Sequence, residues 1–189
     1  MVGLKRRERV NVQDLDLQET VVYINRISKV VKGGKRFRFS SIVVVGDMKG
    51  YVGVGHGKGP EIADAIKKAS ENARKNITKI GVIDGTIYHE VTGKCSASKV
   101  FMKPASKGTG IIATNKIRAI LEYAGIRDIL TKSLGSNTAI NLVYATLDGL
   151  LKLKDADWVF KRRGIEKKVS EKGKKVEVKS KERRVKSEE

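Results

Sequence analysis

Apolar positions along this chain change their period more than once. "TVVYINRISKVV", "RFRFSSIVVVGD" and "GYVGVGHG" are dense in β-branched and aromatic residues, the third with glycine at alternate positions, and they predict three strands. The connectors "KGG" and "DMKG" are short enough to make the strands antiparallel. In "PEIADAIKKASENARKNITKI" the period becomes helical, with Ile62, Ala65, Ile66, Ala69, Ala73, Ile77 and Ile80 on one face and Pro60 suited to a first turn. That helix is expected to cover one face of the sheet. Its outer surface would carry Lys67, Lys68, Arg74, Lys75 and Lys79, tempered by Asp64 and Glu71.

A second cycle begins near Val82. "GTIYHEVTGKCSASKVFMKPA" reads as two strands, "TNKIRAILEYAG" as a short amphipathic helix and "RDILTKSLGS" as a further strand. "NTAINLVYATLDGLLKL" reads as a longer helix capped by Ser136 or Asn137. The glycine-rich turn "PASKGTGIIAT" is expected to lead from strand into helix and to offer free backbone N–H groups to an anion. The class is therefore α+β, in two successive units. The boundaries are a basic arm at 1–16, a first domain at 17–80, a second at 81–160 and a basic tail at 161–189.

Charge narrows the partners. The formal net charge is +19, far enough from neutral for the chain to repel itself unless a polyanion compensates it. The excess is +7 over residues 1–59, +5 over 60–160 and +7 over 161–189, so the ends carry most of it. The tail has too few large apolar residues to bury a core, and is expected to be solvated or to grip RNA nonspecifically. A membrane partner is disfavoured, because the run "SIVVVG" is about a third of a spanning helix and "MVGLKRRERV" lacks a signal-peptide apolar segment. The expected location is the cytoplasm. One cysteine, Cys95, excludes an internal disulfide, and with only His56 and His89 beside it there are too few soft ligands for structural zinc. No cofactor or metal is implied.

The densest basic stretch is "SKVVKGGKRFRFSS", where Lys29, Lys32, Lys35, Arg36 and Arg38 surround Gly33 and Gly34 with no acidic neighbour. It is expected to form a hairpin tip whose two glycines take positive φ and let the backbone approach another surface. Alternation puts Arg36 and Arg38 on one strand face, with Phe37 and Phe39 on the other, toward the core. Lysine also guards sheet edges, but five cations in this span exceed what edge protection requires.

Enzymatic readings fail on particular positions. "GVGHGKGP" has Val52 where a phosphate loop needs glycine, and Gly59 in place of the magnesium-binding hydroxyl. "KGYVGVG" faintly resembles an aromatic RNA-stacking strand, but only Tyr51 could stack. "PASKGTGIIA" resembles the phosphate-binding motif of small-molecule kinases, yet Ile111 and Ile112 stand at the two serine positions. There is no G-x-S-x-G elbow. Neither an enzymatic activity nor a small-molecule substrate is expected, and a kinase is a remote alternative.

The ordered motifs "NRISKVVKGGKRFRFSSIVVVGD", "GYVGVGHGKGPEIADAIKKASENARKN", "VFMKPASKGTGIIA", "RAILEYAGI" and "NTAINLVYATLDGL" resemble the bacterial type of small-subunit ribosomal protein five over roughly residues 20 to 155. The resemblance implies a double-stranded-RNA-binding-like first domain, three strands plus a helix, and a second α+β domain. It also implies a place between body and head of the small subunit. The implied partners are small-subunit ribosomal RNA, ribosomal proteins four and eight, and messenger RNA where it enters its channel; the implied role includes decoding accuracy. RNA-binding positions carried over are Arg26, Ser28, Lys29, Lys32, Gly33, Gly34, Lys35 and Arg36, to which strand position and charge add Arg38 and Lys58. Gly108, Thr109, Gly110 and Arg118 match the protein-facing region. Thr114, Asn115 and Lys116 depart from the family's usual Gly-Gly pair, and Ala139 from its usual proline. A free RNA chaperone or translational regulator with the same basic surface is the alternative; it would need only the first domain.

Overall fold

A computed structural model describes residues 16–164. Except for Asp16, the basic arm expected at 1–16 lies outside the described residues, as does the tail expected at 161–189 beyond Gly164.

The first half builds a four-stranded antiparallel sheet in sequence order: β1 (Gln18–Val31), β2 (Gly34–Gly46), β3 (Tyr51–Gly59) and β4 (Ile77–Lys79). Helix α1 (Ile62–Lys75) lies between β3 and β4 and packs on β2 and β3. Along β2, Val43 and Val45 point toward Ala69 and Ala73 of α1, while Ile42 and Val44 point the other way into the main core. The alternating glycines of β3 face the helix. A Cβ on Gly53, Gly55 or Gly57 would sit 2.4, 1.9 or 2.3 Å from a carbonyl oxygen of α1, so helix and sheet meet backbone to backbone there.

The expected helix running to Ile80 is too long. It ends at Lys75, where Asn76 leaves helical geometry at φ −112° and ψ 26°, and the β-branched Ile77 and Thr78 pair with Gly53 and Val52 instead. Lys79 consequently belongs to β4, and Pro60 precedes Glu61, the N-cap of α1.

The second half forms a sheet in the order β5, β6, β8, β7, from β5 (Val91–Cys95), β6 (Ser98–Pro104), β7 (Ile111–Ile112) and β8 (Ile129–Gly135). All its pairings are antiparallel except β7 with β8. Helix α2 (Asn115–Tyr123) precedes β8, and α3 (Ala139–Leu151) follows it and packs on β5 and β6. The glycine turn thus reaches a short strand before α2, where a direct passage into helix was expected. Nor is α3 capped by Ser136 or Asn137. Thr138 is the N-cap, without a side-chain cap bond; Asn137 Oδ1 accepts from Ser133 Oγ, and Ser136 Oγ lies 3.0 Å from Thr138 Oγ1.

One core joins the halves. Ile42, Val44, Val52 and Val54 of the first sheet are buried together with Ile117, Ile120 and Leu121 of α2 and Leu142 and Leu147 of α3. The β2–β3 turn reinforces this joint, since Met48 N donates to Tyr123 O at 3.1 Å. The described residues through Leu153 belong to one compact unit, and a second begins at Lys154. In that second unit lies α4 (Ala156–Arg162), where Lys154 and Arg162 approach the Trp158 ring at 5.6 and 4.7 Å.

Candidate nucleic-acid interface

Strands β1 and β2 outrun the rest of their sheet. The pairing of β3 with β2 stops at Phe39–Gly59, whereas β1 and β2 stay paired through five more positions, from Ile27–Arg38 to Val31–Gly34. At roughly 3.4 Å per residue this is an arm of about 17 Å. Among the described residues no third strand lies beside it, so its side chains are open to a partner.

Lys32 and Gly33 form the tip. Only Gly34 takes a positive φ, 131°, a region that suits glycine; the expectation of positive φ at both glycines holds for one. An added Cβ at either Gly33 or Gly34 would meet nothing within 4 Å, so the tip is sterically open.

Directly opposed residues of an antiparallel pair share a face. One face of the arm therefore carries Lys29 opposite Arg36 and Arg38 opposite Ile27. At its root the same face carries Ser40 opposite Lys58, and His56 opposite Ile42. Lys29, Arg36, Arg38 and Lys58 are all exposed. No carboxylate occurs between Glu19 and Asp47. The ion pairs among the described residues, Arg74 with Glu19 and Lys152 with Asp148, involve none of these cations.

His56, which the sequence reading did not select, belongs to this row. Its Nε2 pairs with Ser40 Oγ at 2.7 Å. Burial first, and the neighbouring Lys58 charge second, hold its imidazole below the usual pKa of 6.5. The side chain is thus biased toward the neutral form while unbound.

The opposite face carries Arg26, Ser28, Val30, Lys35 and Phe37. Here the expectation for Phe37 is overturned: it is 50% exposed, because among the described residues no helix covers it as α1 covers Val43 and Val45. The guanidinium of Arg26 lies over its ring at 3.7 Å from the centroid.

The glycine turn is differently placed. Gly108 N and Gly110 N both donate to Asp128 Oδ1, at 3.0 and 2.8 Å, and Asp128 is buried. The chain's own carboxylate occupies the donors that were expected to hold an anion. Thr109 Oγ1 donates to Ser106 O, and Arg118 Nη2 donates to Ile111 O at 3.0 Å. Ile111 and Ile112 are spent as β7, pairing with Ile129 and Leu130.

An open hollow of about 500 Å³ lies beside this turn, lined by Ile112, Thr114, Lys116, Lys132, Ser133 and Asn137 among others. Its Lys116 is committed: Nζ donates to Asn137 O at 3.0 Å and lies 5.2 Å from the centre of the Tyr23 ring. Lys116, one of the departures from the family pattern, thereby ties α2 to the start of α3 and to β1. Among the described residues no group of three or more His, Cys, Asp or Glu is arranged to hold a metal ion, and no helix is long and apolar enough to cross a membrane.

The family models for the N-terminal and C-terminal domains of ribosomal protein S5 match residues 17–81 and 93–163. A relative described as small ribosomal subunit protein uS5, from Chloroflexus aurantiacus, is 48% identical over 160 residues, covering 85% of this chain and 90% of the relative. The chain belongs to the ribosomal protein S5 family. The S5 N-terminal match contains the whole protruding hairpin with Lys58, and the S5 C-terminal match contains the glycine turn and Asp128.

Proposed function

We propose that this chain is a structural constituent of the small ribosomal subunit, holding folded ribosomal RNA with its β1–β2 hairpin and performing no bond-making chemistry. The carrying observation is the exposed row Lys29, Arg36, Arg38 and Lys58 on an arm with no carboxylate between Glu19 and Asp47. Such a row neutralises phosphates, releases counterions and fixes orientation without reading sequence. Lys32 and Lys35 beside the open Gly33–Gly34 tip extend the contact to the end of the arm, with Arg26 and Ser28 on its other face.

The second half works toward protein. Gly108, Thr109, Gly110 and Arg118 face the neighbouring ribosomal protein four, ribosomal protein eight is a further neighbour, and the molecule braces head against body near the site where messenger RNA enters. Decoding accuracy depends on the contact with ribosomal protein four. The division into an RNA-facing domain at 17–80 and a protein-facing domain at 81–160 follows from this two-sided role, and the working location is the ribosome in the cytoplasm. Family membership and the shared core favour this reading over a free RNA chaperone, which would need only the hairpin domain.

Co-sedimentation with small subunits from the chain's own cells, before and after a high-salt wash, tests it. Stoichiometric retention through the wash is expected. Release into the soluble fraction would favour the chaperone.

A further inference from the structure

Neutralising phosphates gives no use to the apolar groups on the second face of the arm. Phe37 is 50% exposed and Val30 72% exposed there, and both stand on one face with Arg26 and Lys35. The Arg26 guanidinium, 3.7 Å from the ring centroid, covers one side of Phe37. Solvent exposure of the ring is left to its other side and edge. Tyr51, the aromatic that the sequence singled out for stacking, is half-buried with Lys79 Nζ 5.9 Å from its ring centre.

We propose that Arg26 and Phe37 form a stacking platform for one unpaired RNA base, on the face of the hairpin opposite Lys29, Arg36 and Arg38. This rests on the ribosomal-RNA reading above and deepens it. The occupant is a nucleobase because the exposed ring is flanked by Arg26 and Lys35, and neither strand of the arm carries a carboxylate between Glu19 and Asp47. A base offers a π face to the ring and brings its own phosphate to Arg26 or Lys35, whereas a purely apolar protein side chain would leave those charges uncompensated. The arm then grips a strand from two sides, phosphates on one face and a base on the other.

The test compares the full chain with Phe37→Leu for binding to purified small-subunit ribosomal RNA over a range of salt. Leucine keeps apolar bulk but cannot stack. Affinity is expected to fall roughly tenfold or more, with an unchanged slope of log affinity against log salt because no phosphate contact is lost. In a chain whose Trp158 is replaced by Phe, Phe37→Trp should keep the affinity and show tryptophan emission quenched by the RNA. Parent-like affinity in Phe37→Leu would overturn the proposal. So would a fall accompanied by a flatter slope, which would mean that the ring merely props Arg26 against a phosphate. Normal RNA binding with loss of Phe37→Leu from assembled subunits would assign this face to a neighbouring protein instead. Failure of the parent chain to bind the RNA at all would instead sink the underlying functional reading.

Discussion

Two glycine-rich turns stand out in this chain, and their chemistry differs. At the hairpin tip, Gly33 and Gly34 sit among cations with no ion-pair partner among the described residues, and the side-chain space is empty. At Gly108–Gly110 the side-chain space is also empty, yet the backbone donors are consumed by Asp128. One turn is open, among cations with no ion-pair partner among the described residues; the other is completed from within. A glycine pattern by itself says only that backbone can come close to something. Whether that something is a partner or the protein's own carboxylate depends on residues far away in sequence.

The largest expected effect that sharpens this contrast is on RNA affinity. Replacing Lys29, Lys32, Lys35 and Arg36 by Ala together should weaken ribosomal-RNA binding and flatten its salt slope by about 0.7 to 0.9 per lost phosphate contact. Binding isotherms across salt measure this, and an unchanged slope would remove the hairpin from the interface. The same measurement on Asp128→Ala should give the parent slope.

Stability separates glycines that approach backbone from those that face open space. Gly55→Val drives a side chain to within 1.9 Å of Ala69 O, and urea denaturation should show a loss of more than about 3 kcal/mol or no folded protein. Gly33→Ala should change stability by less than about 0.5 kcal/mol. Gly34→Ala, at φ 131°, should cost about 1–3 kcal/mol. An equal response of Gly33 and Gly55 would contradict the packing of α1 on β3.

Asp128→Ala leaves the amides of Gly108 and Gly110 without their acceptor, and a loss of about 1–3 kcal/mol is expected. Asp128→Asn keeps one acceptor oxygen and should lose less. If both variants melted like the parent, the turn would not depend on this carboxylate.

The smallest effect is a pH dependence at the root of the arm. The pKa of His56 is lowered in the folded chain, first by burial and then by Lys58, so the unfolded chain binds more protons between that lowered value and 6.5. Stability from this group is therefore fully present above about pH 6.5 and is lost as pH falls toward the folded value. Melting temperature should decline between about pH 7.5 and 5.5, with a smaller decline in His56→Gln. An identical decline in both would assign it to other groups.

Much of the fold could be read locally. The runs that became β1, β2 and β3, the helical period of α1 from Ile62 to Ala73 and the apolar faces of α2 and α3 each carry their own signal within a dozen residues. The cationic character of the hairpin was equally plain, because charge and the absence of acids are sequence properties. The errors arose where one segment's state depends on another. Ile77 and Ile80 fit a helical repeat, but the free edge of β3 recruited the segment as β4. Phe37 alternates as a core residue should, but among the described residues no helix reaches over the arm, and the ring stays exposed while Phe39, beside Gly59, is half-buried. Asp128 lies 18 residues beyond Gly110 and has no motif to betray that it fills the turn.

By itself, then, the sequence determined an α+β chain with a strongly basic hairpin, since local period, β-branching and net charge are summed residue by residue. The order of ribosomal motifs likewise pointed to the S5 family. Only tertiary structure decided that Lys58 and His56 continue the cationic face of the arm, that Phe37 is exposed beneath Arg26, and that Asp128 occupies the glycine turn. Those outcomes depend on which surfaces cover each other, and burial is a property of the packed chain that no single segment encodes.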